Sequence, residues 1–291
     1  MAQLASDEVQ LVVIGLVAVS SALVGTFLVL KKMTMLANSL SHTILVGIVV
    51  SYLILLPFSE GAVMLSVRTF FIAALVTGLV TTVLTQLLTH IFRLQEDASI
   101  GLVFSTLFAL GVVLVTLFTR NTHLGVEAIM GNADALHPHD IKMVFWIACG
   151  NLLCFILFYK EFQIAAFDSS LARALGCAPA LFTYFLMVQT AGTAIGAFRS
   201  VGVLLVLAFI VGPVLSARLF AKRLSTLLWL ACLLGIGSVV IGVALSRHFL
   251  TVHGAALSTG GLVVTIIALV YLILLMLKSL IIRNVTRKIW V

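Results

Sequence analysis

A short polar cluster, Asn38-Ser39-Leu40-Ser41-His42, interrupts an apolar region of this sequence. Residues four apart share one face of a helix, so the Asn38 carbonyl oxygen and the His42 imidazole can point at the same cation. Imidazole suits first-row transition metals such as manganese, zinc and iron. A His with an Asn one turn away is also typical of a satisfied helix-packing pair, so the spacing leaves both interpretations open.

Two further segments carry side chains that can bind a cation. Glu96 and Asp97 stand just ahead of another apolar run, where carboxylates can ligate a metal or interact with the positive end of a helix. The segment 119–142 contains four more candidates: His123, Asp134, His137 and His139. Neutral imidazoles and carboxylates in a loop could accept a divalent cation, but no pair has the spacing of a closed zinc site, and such residues are often simply solvated.

The composition identifies the elements that must position these residues. Of the 291 residues, 62% are hydrophobic and 9% are Asp, Glu, Lys or Arg, whereas an average soluble domain has about 25% charged residues. A soluble globule is therefore excluded. At about 20 residues for each bilayer crossing, the apolar share is enough for about nine crossings. The sequence predicts an all-α, polytopic membrane protein whose residues 1–291 form a single transmembrane domain.

Nine apolar stretches are long enough to cross a membrane, and eight to ten crossings are compatible with the sequence. They are 9–30, 40–57, 69–90, 99–118, 143–158, 180–198, 200–217, 225–246 and 259–277. With the N-terminus outside, twelve of the 17 Lys and Arg residues fall on the cytoplasmic side, as the positive-inside rule requires. The Asn38–His42 cluster and Glu96 then enter the membrane from the cytoplasmic side, and 119–142 lies outside.

The segment 159–179 falls on the cytoplasmic side and predicts a short helix lying off the bilayer. Asp168 or Ser169 can cap its N-terminus, and Gly176 followed by Pro179 ends it. Between them, an apolar stripe is formed by Leu171, Ala172 and Leu175.

Glycines indicate where predicted spans pack or bend. Gly192-x-x-x-Gly196 and Gly235-x-Gly237 are patterns that allow close helix approach. Gly212-Pro213 removes a backbone donor and is expected to bend or break its helix.

Several energy sources are missing from the chain. No Asp or Glu lies in the middle of a predicted span, although proton- and sodium-driven carriers usually hold ionisable groups there. No lysine follows a glycine, so the chain has no P-loop, and any ATP hydrolysis must come from another chain. The four cysteines lack CxxC spacing and predict neither a disulfide framework nor a zinc site.

Five ordered segments resemble the metal-ion permease family of ABC transporters, over roughly residues 10 to 280. They are LKKMTMLANSLSHTILVGIVV, QEDASIGLVFSTLFALGVVL, IMGNADALHPHDI, FDSSLARALG and VGVLLVLAFIVGPVLSARLFAKR. Within the family the chain is most similar to permeases of the chlamydial and spirochaete type. The resemblance implies a type II ABC importer-like permease in the inner (cytoplasmic) membrane. Such a permease has no cofactor of its own and transports manganese, zinc or iron ions.

The resemblance also assigns roles to residues. The family commonly has Gly-Asp-Ala-Leu-Ser-His where this chain has Ala37-Asn38-Ser39-Leu40-Ser41-His42. Asn38 keeps a carbonyl oxygen but supplies no charge, so a weaker cation site is expected unless a partner permease supplies a carboxylate. Glu96 matches the family's acidic residue and Asp97 is the second choice.

The family further implies that 168–176 is the coupling helix that docks on the ATPase, with Asp168, Leu171, Leu175 and Gly176 as its key residues. The implied partners are an ATP-binding subunit, an extracytoplasmic metal-binding protein and a second permease, identical or paralogous, with no role for nucleic acid.

Three other functions compete with this one. An ATP-independent carrier or channel would not need a docking helix. A permease for a chelated metal or a vitamin would need a wide cavity with few ionic ligands. A membrane scaffold would have no need to hold Asn38 and His42 near membrane depth.

Overall fold

The structure is a computed structural model and describes residues 6–55, 67–118, 133–134, 136, 138–254 and 257–289, with a few side chains in these ranges undescribed. The described residues form eleven helices and no strand. The helices are α1 (Ser6–Leu30), α2 (Met35–Leu55), α3 (Val67–His90), α4 (Glu96–Phe118), α5 (Pro138–Leu157), α6 (Tyr159–Phe167), α7 (Ser169–Ala174), α8 (Pro179–Val201), α9 (Val203–Arg218), α10 (Leu224–His253) and α11 (Thr259–Ile289).

Eight of the described helices are long and apolar enough to cross a membrane. Each corresponds to one of the predicted spans, so the prediction of an all-α, multi-pass membrane protein is confirmed. The predicted span 200–217 corresponds to α9, whose 16 residues extend about 24 Å. This is short of the roughly 30 Å of a bilayer's hydrocarbon core.

A single residue, Gly202, joins α8 to α9, and its φ of 90° lies in the region that favours glycine. The predicted spans 180–198 and 200–217 are divided at Arg199, but α8 continues to Val201. Of the two effects expected of Pro213, a break does not occur, because α9 runs through Pro213 to Arg218, and a bend stays a prediction. The proline removes one backbone hydrogen bond, whereas tight packing of Gly212 against Ile267 holds this part of α9 in place.

Helix α1 is the central element of the bundle. It contacts α5, α8, α9 and α10, and Val13, Ile14 and Leu28 along it are fully buried. Near its C-terminal end, Phe27 stacks on Phe155 of α5 with ring centroids 4.8 Å apart and also meets Phe162 of α6 at 5.3 Å. A displacement of α1 would therefore disturb its packing against α5, α8, α9 and α10.

Side-chain contacts identify the two ends of the bundle. At one end, Lys31 after α1 bonds to Thr183 in the second turn of α8. At the other end, Arg247 of α10 pairs with Asp7 of α1, and Asp134 accepts a bond from the backbone N–H of Thr259 at the start of α11. The predicted spans, which cross the membrane in alternating directions, also place the residues of each contact on the same side. The end that contains Lys31 is called the inner end below, because the predicted charge distribution assigns it to the cytoplasm.

A polar contact at membrane depth connects three helices. The Asn151 side-chain amide in α5 donates to the hydroxyls of Ser20 in α1 and Thr193 in α8, both at 2.6 Å. All three side chains are buried. Hydrogen bonds between transmembrane helices contribute about 0.6 kcal/mol each on average, so this contact stabilises the arrangement of α1, α5 and α8.

Replacing Asn151 with Val is expected to lower the free energy of unfolding by about 1 kcal/mol, because two interhelical bonds are lost. Thermal unfolding of the detergent-purified protein measures the change. Leu153→Val on the exposed side of the same helix is the control and should leave the transition nearly unchanged. Equal transition temperatures for the two variants would contradict a stabilising role of Asn151.

Candidate metal path and docking surface

The His42 side chain lies between α2 and α4, two turns from the start of α2. Its ring centroid is 5.4 Å from that of Phe104 and 5.3 Å from that of Phe108. These two phenylalanines lie one turn apart on α4 and stack on each other at 5.9 Å. The imidazole is partly buried and rests against an aromatic wall, which restricts the directions in which it can present a nitrogen to an ion.

Asn38 lies one turn closer to the inner end and is exposed, whereas Leu36, Ala37, Ser39 and Leu40 around it are buried. The less buried face of α2 therefore carries Asn38 and His42 together, as their spacing of four predicts. The arrangement leaves both side chains accessible from one direction, which is the geometric requirement for two ligands of one ion.

Glu96 and Asp97 form the first turn of α4 and are exposed. Phe104, which contacts His42, follows Glu96 by eight residues, or about 12 Å along the helix axis. Glu96 and His42 therefore start from the same end of the bundle, but within this conformation of one chain Glu96 lies nearer the inner end than His42 does. The separation arises because His42 is the eighth residue of α2 whereas Glu96 is the first residue of α4, and the two helices begin at about the same level. The acidic pair stands at the inner end, below the level of His42.

Lys31 is an inner-end cation that the sequence analysis did not single out. Its ammonium donates to the Thr183 hydroxyl. Burial, the larger effect, lowers the pKa of Lys31, while the negative charge of Glu96 raises it. Lys31 and Thr183 are 152 residues apart, so no local pattern in the sequence could have linked them.

At the outer end, Asp134 has a structural contact. Its Oδ1 accepts a hydrogen bond from the Thr259 N–H at 3.2 Å, and Thr259 is also 3.1 Å from the Ser246 hydroxyl. The carboxylate thus satisfies a backbone donor in the first turn of α11.

The structure does not describe the side chains of the other predicted outer-mouth contacts. His123 and His137 lie outside the described residues, and the side chain of His139, in the first turn of α5, is not described. Metal contact by these outer residues stays a prediction.

A ready-made closed metal site is not present in the described part of the chain: no three His, Cys, Asp or Glu side chains there are close enough to hold one ion. The candidates at the inner end are instead spaced along the bundle, with His42 deepest, Asn38 one turn closer to the end and Glu96 with Asp97 at the end itself. Such a series suits brief contacts with a passing ion better than retention of a structural one.

The predicted short inner-end helix is present as α7. The Asp168 carboxylate caps it by accepting bonds from the backbone N–H groups of Ser170 at 2.9 Å and Leu171 at 3.0 Å. Gly176 follows the helix with a φ of 80°, and the Cys177 N–H returns to the Ala172 carbonyl at 2.9 Å. Cap and stop are those that the sequence predicts.

The Asp168 cap has a defined pH dependence. Its bond from the Ser170 hydroxyl and then those from the two backbone N–H groups lower the pKa of Asp168. The cap therefore stabilises α7 at pH values above the ordinary pKa of an aspartate. This stabilisation is lost as the pH falls through the lowered pKa of Asp168.

The apolar stripe of α7 divides into two faces. Ala172 is fully buried against the protein, whereas Leu171 and Leu175 are 49% and 60% exposed. The predicted stripe is thus correct in its position but only its two leucines point away from the bundle. Exposed leucines on a capped helix at the inner end form a surface suited to a protein partner.

Known proteins resemble this chain along most of its length. A family model described as the ABC 3 transport family matches residues 8–278. A probable metal transport system membrane protein of Chlamydia muridarum is 40% identical over 266 residues, which cover 91% of this chain and 83% of that protein.

Two relatives have names that include a metal. The manganese transport system membrane protein MntD of Bacillus subtilis is 40% identical over 240 residues, with 78% of this chain and 79% of that protein covered. The zinc transport system membrane protein TroD of Treponema pallidum is 35% identical over 218 residues, with 71% and 57% covered.

The fold also matches a solved structure, PsaBC from Streptococcus pneumoniae in complex with Fab. The TM-score is 0.72 at 26% sequence identity, and the match covers 92% of this chain and 90% of that chain. Helix arrangement, family model and relatives therefore agree, and the chain belongs to the ABC 3 transport family.

Proposed function

We propose that the chain is the membrane permease subunit of an ATP-driven importer that moves a divalent transition-metal ion across the inner membrane. The observation that carries the proposal is the accessible face of α2 with Asn38 and His42, set against Phe104 and Phe108 of α4. Relatives named as manganese and zinc transport membrane proteins support these two ions, and iron stays a prediction from ligand chemistry. The chain is a transporter subunit and not an enzyme.

The ion path uses the three levels of the inner half of the bundle in turn. His42 offers an imidazole nitrogen and Asn38 an amide oxygen, and Glu96 with Asp97 offers carboxylates at the inner end. Nitrogen and oxygen ligands together suit Mn²⁺ and Zn²⁺. A neutral Asn38 keeps the inner site weak, as conduction requires, because an ion that binds too tightly does not leave.

The permease acts as part of a larger assembly. Leu171 of α7 and Leu175, which directly follows α7, dock on a separate ATP-binding subunit, which supplies the energy that this chain lacks. A second permease, identical or paralogous, completes the pathway, and a paralogous one could contribute the carboxylate that Asn38 replaces. An extracytoplasmic binding protein delivers the ion to the outer end, where Asp134 lies.

The test is uptake of Mn²⁺ and Zn²⁺ into vesicles that contain the permease and its ATPase. Uptake that requires ATP is expected, and uptake without ATP would favour a secondary carrier or channel. Preference for a metal chelate over the free ions would favour the alternative of a chelated-metal permease.

Replacing Leu175 or Leu171 with Asp is expected to prevent assembly with the ATPase, because an unpaired charge buried at an interface costs several kcal/mol. Co-purification of the ATPase measures assembly, and the amount of permease in the membrane shows that insertion is intact. Gln163→Asp, which adds the same charge at an exposed position of α6, is the matched control. Undiminished co-purification with both leucine variants would exclude α7 as the docking element.

A further inference from the structure

The side-chain amide of Gln189, in the middle of α8, has no hydrogen-bond partner among the described residues. Its Nε2 and Oε1 atoms are both buried, and Gln189 as a whole is 9% exposed. Gln86 of α3 is also buried, but its Nε2 donates to the sulfur of Met187 at 3.4 Å. Buried polar groups in native proteins almost always have a partner, and the bilayer core offers none from outside. The Gln189 amide is therefore the part of α8 that calls for a ligand.

The amide lies next to the polar contact that joins α1, α5 and α8. Thr193, one turn further along α8, accepts the hydrogen bond from Asn151 of α5 and donates its own hydroxyl to the backbone carbonyl of Gln189 at 2.8 Å. Residues four apart share a helix face, so Gln189 and Thr193 leave α8 on the same side. The unpaired amide thus extends a polar layer that already lies at membrane depth.

The structure leaves room beside this amide. Gly192 follows Gln189 by three residues and neighbours it on the surface of α8. Apart from its chain neighbours and the backbone of its own helix, no described atom lies within 4 Å of the position that a Cβ of Gly192 would occupy. One turn further on, the same position at Gly196 is only 2.1 Å from Ile147 of α5. The packing of α8 is therefore tight at Gly196 and open at Gly192.

The chemistry of the amide selects the occupant of this space. Because Nε2 donates and Oε1 accepts, the occupant has to accept one hydrogen bond and donate another. A cation would satisfy only the oxygen, an anion only the nitrogen and a lipid chain neither. A side chain from a second protein cannot reach these two atoms, because they have almost no accessible surface. Water can donate and accept at once, and a buried water typically makes about three such bonds.

We propose that the space beside Gly192 holds an ordered water molecule bound to the Gln189 amide. The water accepts a hydrogen bond from Nε2 and donates one to Oε1, and it completes the polar contact of α1, α5 and α8 that Asn151 begins. The site lies within one chain and belongs to the packing of the bundle, so the proposal does not depend on which ion the protein transports.

A pair of variants on α8 tests the proposal by thermal unfolding of the detergent-purified protein. The methyl group of Gly192→Ala takes the place of the water and leaves the amide unpaired, so the transition temperature should stay level or fall. In a Gln189→Met background the side chain keeps its length but has no amide to satisfy. Gly192→Ala should then raise the transition temperature, because alanine favours a helix over glycine. The two shifts should differ by about 4 °C.

A control variant shows whether the background itself alters such shifts. Gly15→Ala adds the same methyl group to open space on α1, and it should raise the transition temperature equally with Gln189 and with Met at position 189. A dry space beside Gly192 predicts that Gly192→Ala behaves in the same way as this control. Equal shifts of Gly192→Ala in the two backgrounds would therefore overturn the proposal.

A high-resolution cryo-EM map of the permease in lipid nanodiscs gives a direct second test. A density peak is expected about 3 Å from both Nε2 and Oε1 of Gln189. An empty space, in a map that shows other buried waters, would refute the proposal whatever the stability measurements give. Should Gln189→Met fail to fold, this map decides alone.

Discussion

Replacing His42 with Ala is expected to abolish most ATP-dependent uptake of Mn²⁺ and Zn²⁺ while leaving the amount of assembled complex unchanged. The imidazole is the one nitrogen ligand proposed for the path, and the two side chains it rests against, Phe104 and Phe108, have no atom that can ligate a metal ion. Uptake into vesicles and the yield of purified complex are measured side by side. His90→Ala, at an exposed histidine at the inner end of α3, is the matched control and should transport normally.

Variants at two more residues of the path extend this result. Glu96→Gln should reduce uptake nearly as far, because it removes the charge at the inner end. Asn38→Asp should bind the ion more tightly while turnover stays level or falls. If His42 and Glu96 serve only in helix packing and capping, the first two variants should lose stability and Asn38→Asp should leave affinity unchanged. Normal transport by His42→Ala would remove His42 from the path.

Local patterns in the sequence predict the parts of the candidate site that lie within one helix. The shared face of Asn38 and His42 follows from the helical repeat, and the cap of Asp168 and the stop at Gly176 follow from residue types with defined backbone preferences. The apolar content predicts the spans for the same reason, since bilayer thickness sets their length.

Relations between helices could not be predicted in this way. The depth of Glu96 relative to His42 depends on which turns of α2 and α4 meet, and the contact of Lys31 with Thr183 depends on where two distant segments meet. Leu171, Ala172 and Leu175 are all apolar, yet the structure buries Ala172 and exposes the two leucines. Hydrophobic patterning records which residues avoid water, but it does not record which neighbour covers them.

The glycine patterns also show that a local pattern does not identify which residue a neighbouring helix contacts. The Gly192-x-x-x-Gly196 and Gly235-x-Gly237 patterns predict close helix contacts, and an added Cβ at Gly196 would indeed meet Ile147 at 2.1 Å. Within the described residues, however, nothing lies within 4 Å of such an atom at Gly192 or Gly237. An equally short contact, to backbone instead of side-chain atoms, occurs at Gly25, which belongs to neither pattern, and it predicts a large change in stability.

Replacing Gly25 with Ala is expected to destabilise the protein by about 3 kcal/mol or more. The new Cβ would lie 2.1 Å from the carbonyl oxygen of Ile210 and 2.8 Å from its carbonyl carbon. Both are backbone atoms of α9, so no side-chain rotation can relieve the overlap, and α1 and α9 must separate.

The matched control for Gly25→Ala lies in the same helix. Gly15→Ala adds the same methyl group to α1, but nothing lies within 4 Å of its Cβ, and alanine favours a helix over glycine by about 1 kcal/mol. Thermal unfolding of the detergent-purified protein should therefore show a large drop for Gly25→Ala and no drop for Gly15→Ala. Because α1 is the central helix, separation from α9 would also move Phe27 and Lys31 near its end, so Gly25→Ala should lose uptake together with stability. Equal stability of the two variants would show that α1 and α9 are not in backbone contact at Gly25.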